Sequence, residues 1–314
     1  MGTARTGADG IAGERRRLIN VAYRLLGSVT EAEDAVQDAY ARWYGLPPSR
    51  QEEVLSPGAW LTTVTGRICL DLLGSARARR EHYAGAWLPE PLPDRTEWDH
   101  PGGPGSGSGP GAGAAGHADP ADQIVLDESV TMAFLVVLET MTPAERVAFV
   151  LHDVFRYPFA EIADVLRRTP AACKQLAASA RRRVRTARAP VPAAGHADVV
   201  RQVKEAWETK DIAALVGLLD PAAVMTADGG GIASSILRPV EGGARIAQYL
   251  IAIADKASGL NLVQRSVNGA PGLVARRDGV VMTVASFDVS GGRVTRIWAI
   301  RNPQKLRPWA REAG

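Results

Sequence analysis

The sequence predicts a multidomain chain, with two all-α domains followed by one α+β domain. Three observations carry this. Apolar residues recur every three to four positions as far as Arg188, and two stretches rich in Pro, Gly, Ser and Ala interrupt that pattern. After His196 the chain turns to short β-branched runs between glycine turns. At 314 residues it also exceeds one ordinary domain, so seams are expected.

The expected boundaries are a helical domain at 11–83, a linker at 84–120, a second helical domain at 121–188, a short linker at 189–195 and the α+β domain at 196–314. In the first domain Thr30 and Glu33 have capping-box spacing ahead of Ala35, Val36, Ala39, Tyr40 and Trp43. Ser56-Pro57 opens another helix through Trp60, Leu61, Val64, Ile68 and Leu72. The Pro-rich stretch 87–94 and the Gly/Ser/Pro/Ala tract 101–116 bury too little side chain to offset their ordering entropy, and read as a flexible linker. In the second domain Thr142, Pro143 and Glu145 start a helix. Residues 159–166 form a short amphipathic helix, 167–170 break it, and Thr169-Pro170 caps the next, which is a helix-turn-helix pattern. The third domain has one helix over 199–219, then strands around 273–276, 280–287 and 293–300 with turns at 277–279 and 290–292. An antiparallel α+β class follows.

The composition, 46% apolar and 23% charged, is that of a globular protein, not a disordered or fibrous one. No apolar run approaches the roughly 18 residues that span a bilayer, and 1–10 lack the apolar core of a signal peptide, so a cytoplasmic protein with no membrane association is expected. Cys69 and Cys173 fit neither a disulfide framework nor a CxxC site. His82, His100, His117, His152 and His196 show no ligand spacing, and no metal or cofactor is expected. Net charge is only +3; its distribution is more informative.

The helix after Pro170 concentrates chemistry. With Cys173, Ala177 and Ala180 inward, Lys174, Gln175 and Ala178 face outward near its N-terminal end, where a recognition helix meets base edges. Lys donates to guanine and Gln pairs with adenine. Arg167, Arg168, Lys174, Arg181, Arg182, Arg183, Arg185 and Arg188 carry the charge of 165–188, with no acidic residue among them, a field suited to phosphates. A helical hairpin with a solvated basic face is the competing reading. In the first domain Glu31, Glu33, Asp34 and Asp38 make an early helix acidic, suited to a basic protein partner or simply favoured by the helix dipole. Arg67, Arg77, Arg79 and Arg80 lie with Trp60 and Tyr83 on a later one, which offers cations and π faces to melted nucleic acid, although Trp60 at helical spacing also fits a core.

Together, in this order, these segments resemble the extracytoplasmic-function sigma factors of the sigma-70 family. Residues 23–43 look like region 2.1 to 2.2, 57–71 like region 2.3 to 2.4, and 138–183 like region 4. The resemblance implies that Asp34, Gln37, Asp38, Arg42 and Trp43 dock on the clamp helices of core RNA polymerase. It places Thr63, Arg67, Asp71, Arg77 and Arg80 near the melted minus-ten element of promoter DNA. Lys174, Gln175, Arg181, Arg182 and Arg183 would then read the minus-thirty-five element.

The third domain narrows the subgroup. Asp228, Gly229, Gly230 and Gly231, the linker motif at 87–92, and Asn302, Pro303, Lys305 and Leu306 near the end resemble the SigJ-like sigma factors, whose C-terminal SnoaL-like domain is cone-shaped. In that subgroup the extension is understood to modulate activity in place of a separate anti-sigma partner, through contact with the sigma regions of the same chain. Three positions depart from the subgroup pattern: Ser179 stands where arginine is common, Cys173 where valine is, and Ile232 where lysine follows the glycines. Some relatives of the extension are enzymes that use a carboxylate base, and Asp228, Asp278 and Asp288 are available. With no histidine after His196 and only Tyr249 as a tyrosine, acid-base partners are scarce. A ligand-sensing pocket and a plain interaction domain both remain as readings of the extension.

The reading that joins these is a non-enzymatic sigma factor, monomeric when free, that directs promoter-specific initiation under the control of its own C-terminal domain. The alternative is an autonomous helix-turn-helix regulator with a C-terminal ligand pocket.

Overall fold

The computed structural model describes residues 4–81, 83, 85–93, 130–187, 195–256 and 259–312. They form two compact units, one built from both helical segments and the other from 83–93 together with the C-terminal domain.

The helical unit begins with α1 (Ala4–Leu26), α2 (Val29–Tyr44), α3 (Pro48–Glu53) and α4 (Pro57–Glu81). Leu18, Ile19, Tyr23 and Leu61 are wholly buried, each side chain contributing on the order of 1.5–3 kcal/mol of burial. The cap of α2 is Ser28, whose hydroxyl accepts from the Glu31 amide. The expected Thr30–Glu33 box is therefore displaced by two residues, because Gly27, at φ 70°, turns the chain immediately before Ser28. Ser56 caps α4 as expected, accepting from the Ala59 amide.

Then follow α5 (Met132–Glu139), α6 (Pro143–Phe149), a π turn (Val150–Val154), α7 (Phe159–Leu166) and α8 (Pro170–Ala187). Thr142 and Glu145 close the expected capping box on α6. The two helical segments share one core. Gly66 on α4 meets Val165 on α7 so closely that a Cβ would lie 2.8 Å from Val165 Cγ1. The Thr62 hydroxyl is 2.9 Å from that of Tyr157, and the buried Arg146 guanidinium donates to the Leu25 carbonyl at 2.9 Å.

The second unit contains α9 (His196–Glu208), α10 (Ile212–Leu218), β1 (Leu219–Asp228), β2 (Val240–Glu241), α11 (Gly243–Lys256), β3 (Leu260–Val267), β4 (Ala270–Arg277), β5 (Val280–Ser290), β6 (Arg293–Ile300) and a 3-10 turn (Arg307–Glu312). The single helix expected over 199–219 is two helices. Lys210 takes φ 57°, and Asp211 caps the second through the Ala214 amide. The sheet runs β2-β1-β6-β5-β4-β3. All neighbours are antiparallel except β1 and β6, so the antiparallel expectation becomes a mixed sheet. Val199, Val203, Leu215, Ile246 and Leu250 of the helices bury one face with Leu273, Phe287 and Ile297. The class is α+β, as expected.

The Pro-rich stretch is not a free linker where the structure describes it. Leu88, Glu90 and Leu92 are buried, Asn268 and Leu92 exchange two hydrogen bonds, and Pro93 bridges Val267. Leucines between prolines present apolar side chains from a pre-extended backbone, so docking them loses little further entropy. The expected Gly/Ser tract lies outside the described residues.

Candidate functional site

The helix-turn-helix is built as its residues dictate. Arg167 ends α7 in the left-handed conformation (φ 51°), and the Thr169 hydroxyl caps α8 by accepting from the Ala172 amide. Cys173, Ala177 and Ala180 are completely buried, small enough for close approach to the preceding helices. Lys174 and Gln175 consequently stand exposed at the first turns of α8. Cys173 is a core residue, its thiol pKa raised by burial.

The arginines beyond Ala180 divide. Arg182 and Arg183 are both exposed, although Arg183 Nε lies 3.6 Å from Glu145 Oε2, whereas Arg181 is half-buried with its Nε 2.6 Å from Asp153 Oδ1. Ser179 donates to the other Glu145 oxygen at 2.7 Å. Burial alone would raise the Glu145 carboxyl. The Ser179 hydroxyl, the Thr142 amide and hydroxyl, and the Arg183 charge outweigh it and hold the pKa below its ordinary value. Serine at 179 thus anchors α8 to the cap of α6.

On α2, Asp34, Gln37, Asp38 and Arg42 are exposed along one helical face, with Arg42 paired to Asp38 at 2.8 Å. Trp43 does not share that face. It is 3% exposed and meets Trp60 edge-on at 5.2 Å between ring centroids, so an aromatic side chain at this spacing serves the core. On α4, Thr63 donates back to the Ala59 carbonyl, Asp71 is exposed, and the Arg67 guanidinium donates to the Asp164 carbonyl of α7 at 2.8 Å. The side chains of Arg77 and Arg80 lie outside the described residues.

The densest polar constellation is in the second unit, around Asp228 at the end of β1. Its side chain is fully buried. Oδ1 accepts from the Tyr83 hydroxyl at 2.7 Å and the Gly230 amide at 3.0 Å; Oδ2 accepts from the Leu88 amide at 2.9 Å and Lys305 Nζ at 2.7 Å. Lys305 Nζ also donates to the Leu88 carbonyl and sits 4.0 Å from the centroid of the Trp87 ring, a cation–π contact. Burial, with the Asp228 carboxylate as acceptor, raises the Tyr83 hydroxyl well above its ordinary range. Asn302 donates to the Tyr83 hydroxyl at 3.0 Å, and Trp309 Nε1 to the Pro91 carbonyl at 2.8 Å.

Gly230 and Gly231 both take positive φ. A Cβ on Gly230 would lie 2.4 Å from Asn302 Nδ2, so glycine is required by contact as well as conformation. Leu306 is buried, while Pro303 and Ile232 are exposed. The structure therefore joins Asp228, Gly230, Asn302 and Lys305 into one hub with the strap at 83–93. Sequence reasoning missed Tyr83, Asn268 and Trp309 as strap contacts. Only Asn268-Gly269, a left-handed turn pair at φ 53° and 71°, left a visible signal.

A helix-turn-helix with an exposed basic face and a separate acidic helix face, carried on one helical core, is the architecture of a DNA-reading transcription factor. Sigma-70 region 2 matches residues 11–79 and Sigma-70 region 4 matches residues 131–184. The chain is 36% identical over 306 residues to the ECF RNA polymerase sigma factor SigJ of Mycobacterium tuberculosis, covering 93% of this chain and 90% of that one. It is 32% identical over 306 residues to the probable ECF RNA polymerase sigma factor SigI of the same organism, covering 96% and 94%. The crystal structure of M. tuberculosis SigJ superposes with a TM-score of 0.72 at 32% identity, covering 96% of this chain and 98% of that one. The chain belongs to the extracytoplasmic-function sigma factors of RNA polymerase. It directs promoter-specific transcription initiation, with core polymerase and promoter DNA as partners, and is not an enzyme. No helix among the described residues is long and apolar enough to cross a membrane.

Proposed function

We propose that Lys174 and Gln175 read bases of the minus-thirty-five element, with Arg182 supplying a phosphate contact and Arg181 and Arg183 joining it when their carboxylate partners release them. Exposure of Lys174 and Gln175 over a buried Cys173, Ala177 and Ala180 stripe carries this reading. Asp34, Gln37, Asp38 and Arg42 form the acidic face for core polymerase, and Thr63, Arg67, Asp71, Arg77 and Arg80 serve the minus-ten element. The protein works in the cytoplasm as a monomer until it meets polymerase. Its C-terminal domain modulates activity through the strap gripped by Asp228, Gly230, Asn302 and Lys305, which continues the chain of α4.

The test is Lys174→Ala with Gln175→Ala in transcription reconstituted with core polymerase. Losing a good base contact costs about 1–3 kcal/mol. Promoter selectivity should therefore fall about tenfold or more while core binding is unchanged. Unaltered selectivity would sink the assignment.

A further inference from the structure

The concave face of the C-terminal sheet encloses a cavity of about 120 Å³. Its walls include Trp207 of α9, Tyr249 of α11, and Met225, Leu273 and Phe287 of the sheet. A site of roughly 150 Å³ with such walls accommodates one benzene ring, so this somewhat smaller one takes at most a single ring or a short branched chain, with any polar head at its mouth. The ionisable lining is one-sided. Arg277 and Arg301 reach the cavity, and no Asp, Glu or His is among the lining residues.

Strand register fixes where the arginines stand. Ala275 pairs with Thr283, and Ala299 with Ala285. Arg277 pairs with Val280, and Arg301 follows Ile300, which pairs with Val284, so the two stand on opposite sides of β5, two strands apart and offset by about three residues, roughly 14 Å between backbones. The Arg301 guanidinium also donates to the Ser234 carbonyl. Arg277 Nε is buried and meets no hydrogen-bond partner among the described residues, and an unsatisfied buried donor is costly unless something fills it. Apolar walls exclude a sugar or nucleotide, and two cations without a carboxylate exclude an amine. What fits is an apolar body with a single anionic head.

The cavity also touches the hub. Ala227 in its wall immediately precedes Asp228, and the Arg301 amide donates to the Asp228 carbonyl at 2.7 Å. We propose that this cavity is an effector site for a small apolar carboxylate of about the size of benzoate, held by Arg277 and Arg301 and felt by the strap through Ala227–Asp228 and Arg301–Asn302. With no carboxylate or imidazole among the lining residues, the proposed role is binding and not turnover. This inference rests on the strap reading for its consequence and on the cavity alone for its ligand.

The experiment titrates the full chain with benzoate, benzyl alcohol and benzylamine by calorimetry, then follows amide exchange of 86–93 at saturating benzoate. Benzoate is expected to bind saturably at or below about 1 mM, with the neutral and cationic analogues at least about tenfold weaker. Arg277→Gln should weaken benzoate about tenfold or more and leave benzyl alcohol unchanged, with an unaltered thermal melt showing that the fold survives. Exchange at Leu88 should change by about threefold or more on saturation. Absence of benzoate binding, or equal binding of benzyl alcohol, would overturn the ligand class. Saturable binding with no change at Leu88 would overturn the effector role while leaving the sigma-factor reading intact.

Discussion

Lys305→Met tests the hub most directly. The Asp228 carboxylate is fully buried and Lys305 is the only cation within 4 Å of it among the described residues, at 2.7 Å. Methionine keeps the aliphatic stem and removes the charge, so Asp228 is left with three neutral donors. Breaking a buried pair from one side costs about 3–5 kcal/mol. The variant also loses the Lys305 bond to the Leu88 carbonyl and its contact with the Trp87 ring. If that cost falls on strap opening, exchange of the Leu88 amide, which donates to Asp228 Oδ2, speeds by roughly two to nearly four decades. Amide exchange of peptides covering 86–93, compared with peptides from the sheet core around Val284, reads the effect locally. Asp228→Asn added to Lys305→Met removes the unpaired charge and should recover a large part of the loss. Equal acceleration in strap and sheet core would show that Lys305 supports the whole domain and not the strap. No acceleration would show that the other donors suffice.

Asp288 and Glu145 supply opposite pH signatures. Burial raises the Asp288 carboxyl, and its Oδ1 has no hydrogen-bond partner among the described residues. A raised folded pKa gives stability below the unfolded value near 3.9 that is lost as pH rises through the folded value. Asp288→Asn should therefore stabilise the chain at pH 7, by on the order of 1 kcal/mol or about 2–4 °C in the melt of that unit, and give no gain at pH 3; a loss at pH 7 would refute this. Glu145 is lowered, so its contribution is present above the unfolded value near 4.3 and disappears as pH falls through the folded one. Ser179→Ala removes one donor and should cost about 1–2 kcal/mol at neutral pH, flattening the acid limb of the thermal melt. An unchanged acid limb would mean that Thr142 and Arg183 alone set that pKa.

Local signals were legible where one residue type has one physical use. Thr142-Pro143-Ala144-Glu145 can hardly be anything but a helix start, and Cys173, Ala177 and Ala180 fixed which side of α8 faces out. Turns at Asp278-Gly279 and Gly291-Gly292 announced themselves through residues that tolerate positive φ. What failed was decided by partners distant in sequence. Leu219–Asp228 did not read as a strand because Pro221 and two alanines occupy its irregular register, and pairing with β6 overrides that weak propensity. Trp43 fits a docking face by spacing, and only the Trp60 ring determines that it turns inward. The strap was invisible because proline-rich chain is compatible with both freedom and docking. Its buried state depends on Asp228, Asn268 and Trp309, each more than a hundred residues away.

Contacts inside the helical unit give a physical reason to expect weak binding of duplex promoter DNA by the free protein. Arg67, proposed for the minus-ten element, is committed to the Asp164 carbonyl, and Thr62, one turn of α4 earlier, is committed to the Tyr157 hydroxyl. Gly66 between them brings α4 against Val165. An ordinary hydrogen bond contributes about 0.5–1.5 kcal/mol net, and a solvent-exposed bond to a charged group sits nearer the low end of its range. These contacts with the apolar seam around Gly66 therefore amount to a few kcal/mol. A cost of about 3 kcal/mol leaves the separated state near 1% populated and lowers apparent affinity for any ligand of that state about a hundredfold. If core polymerase separates the two regions on binding, that cost is met before DNA arrives. On the reading proposed above, Arg67 would serve both promoter recognition and the contact with α7 that closes the free helical unit.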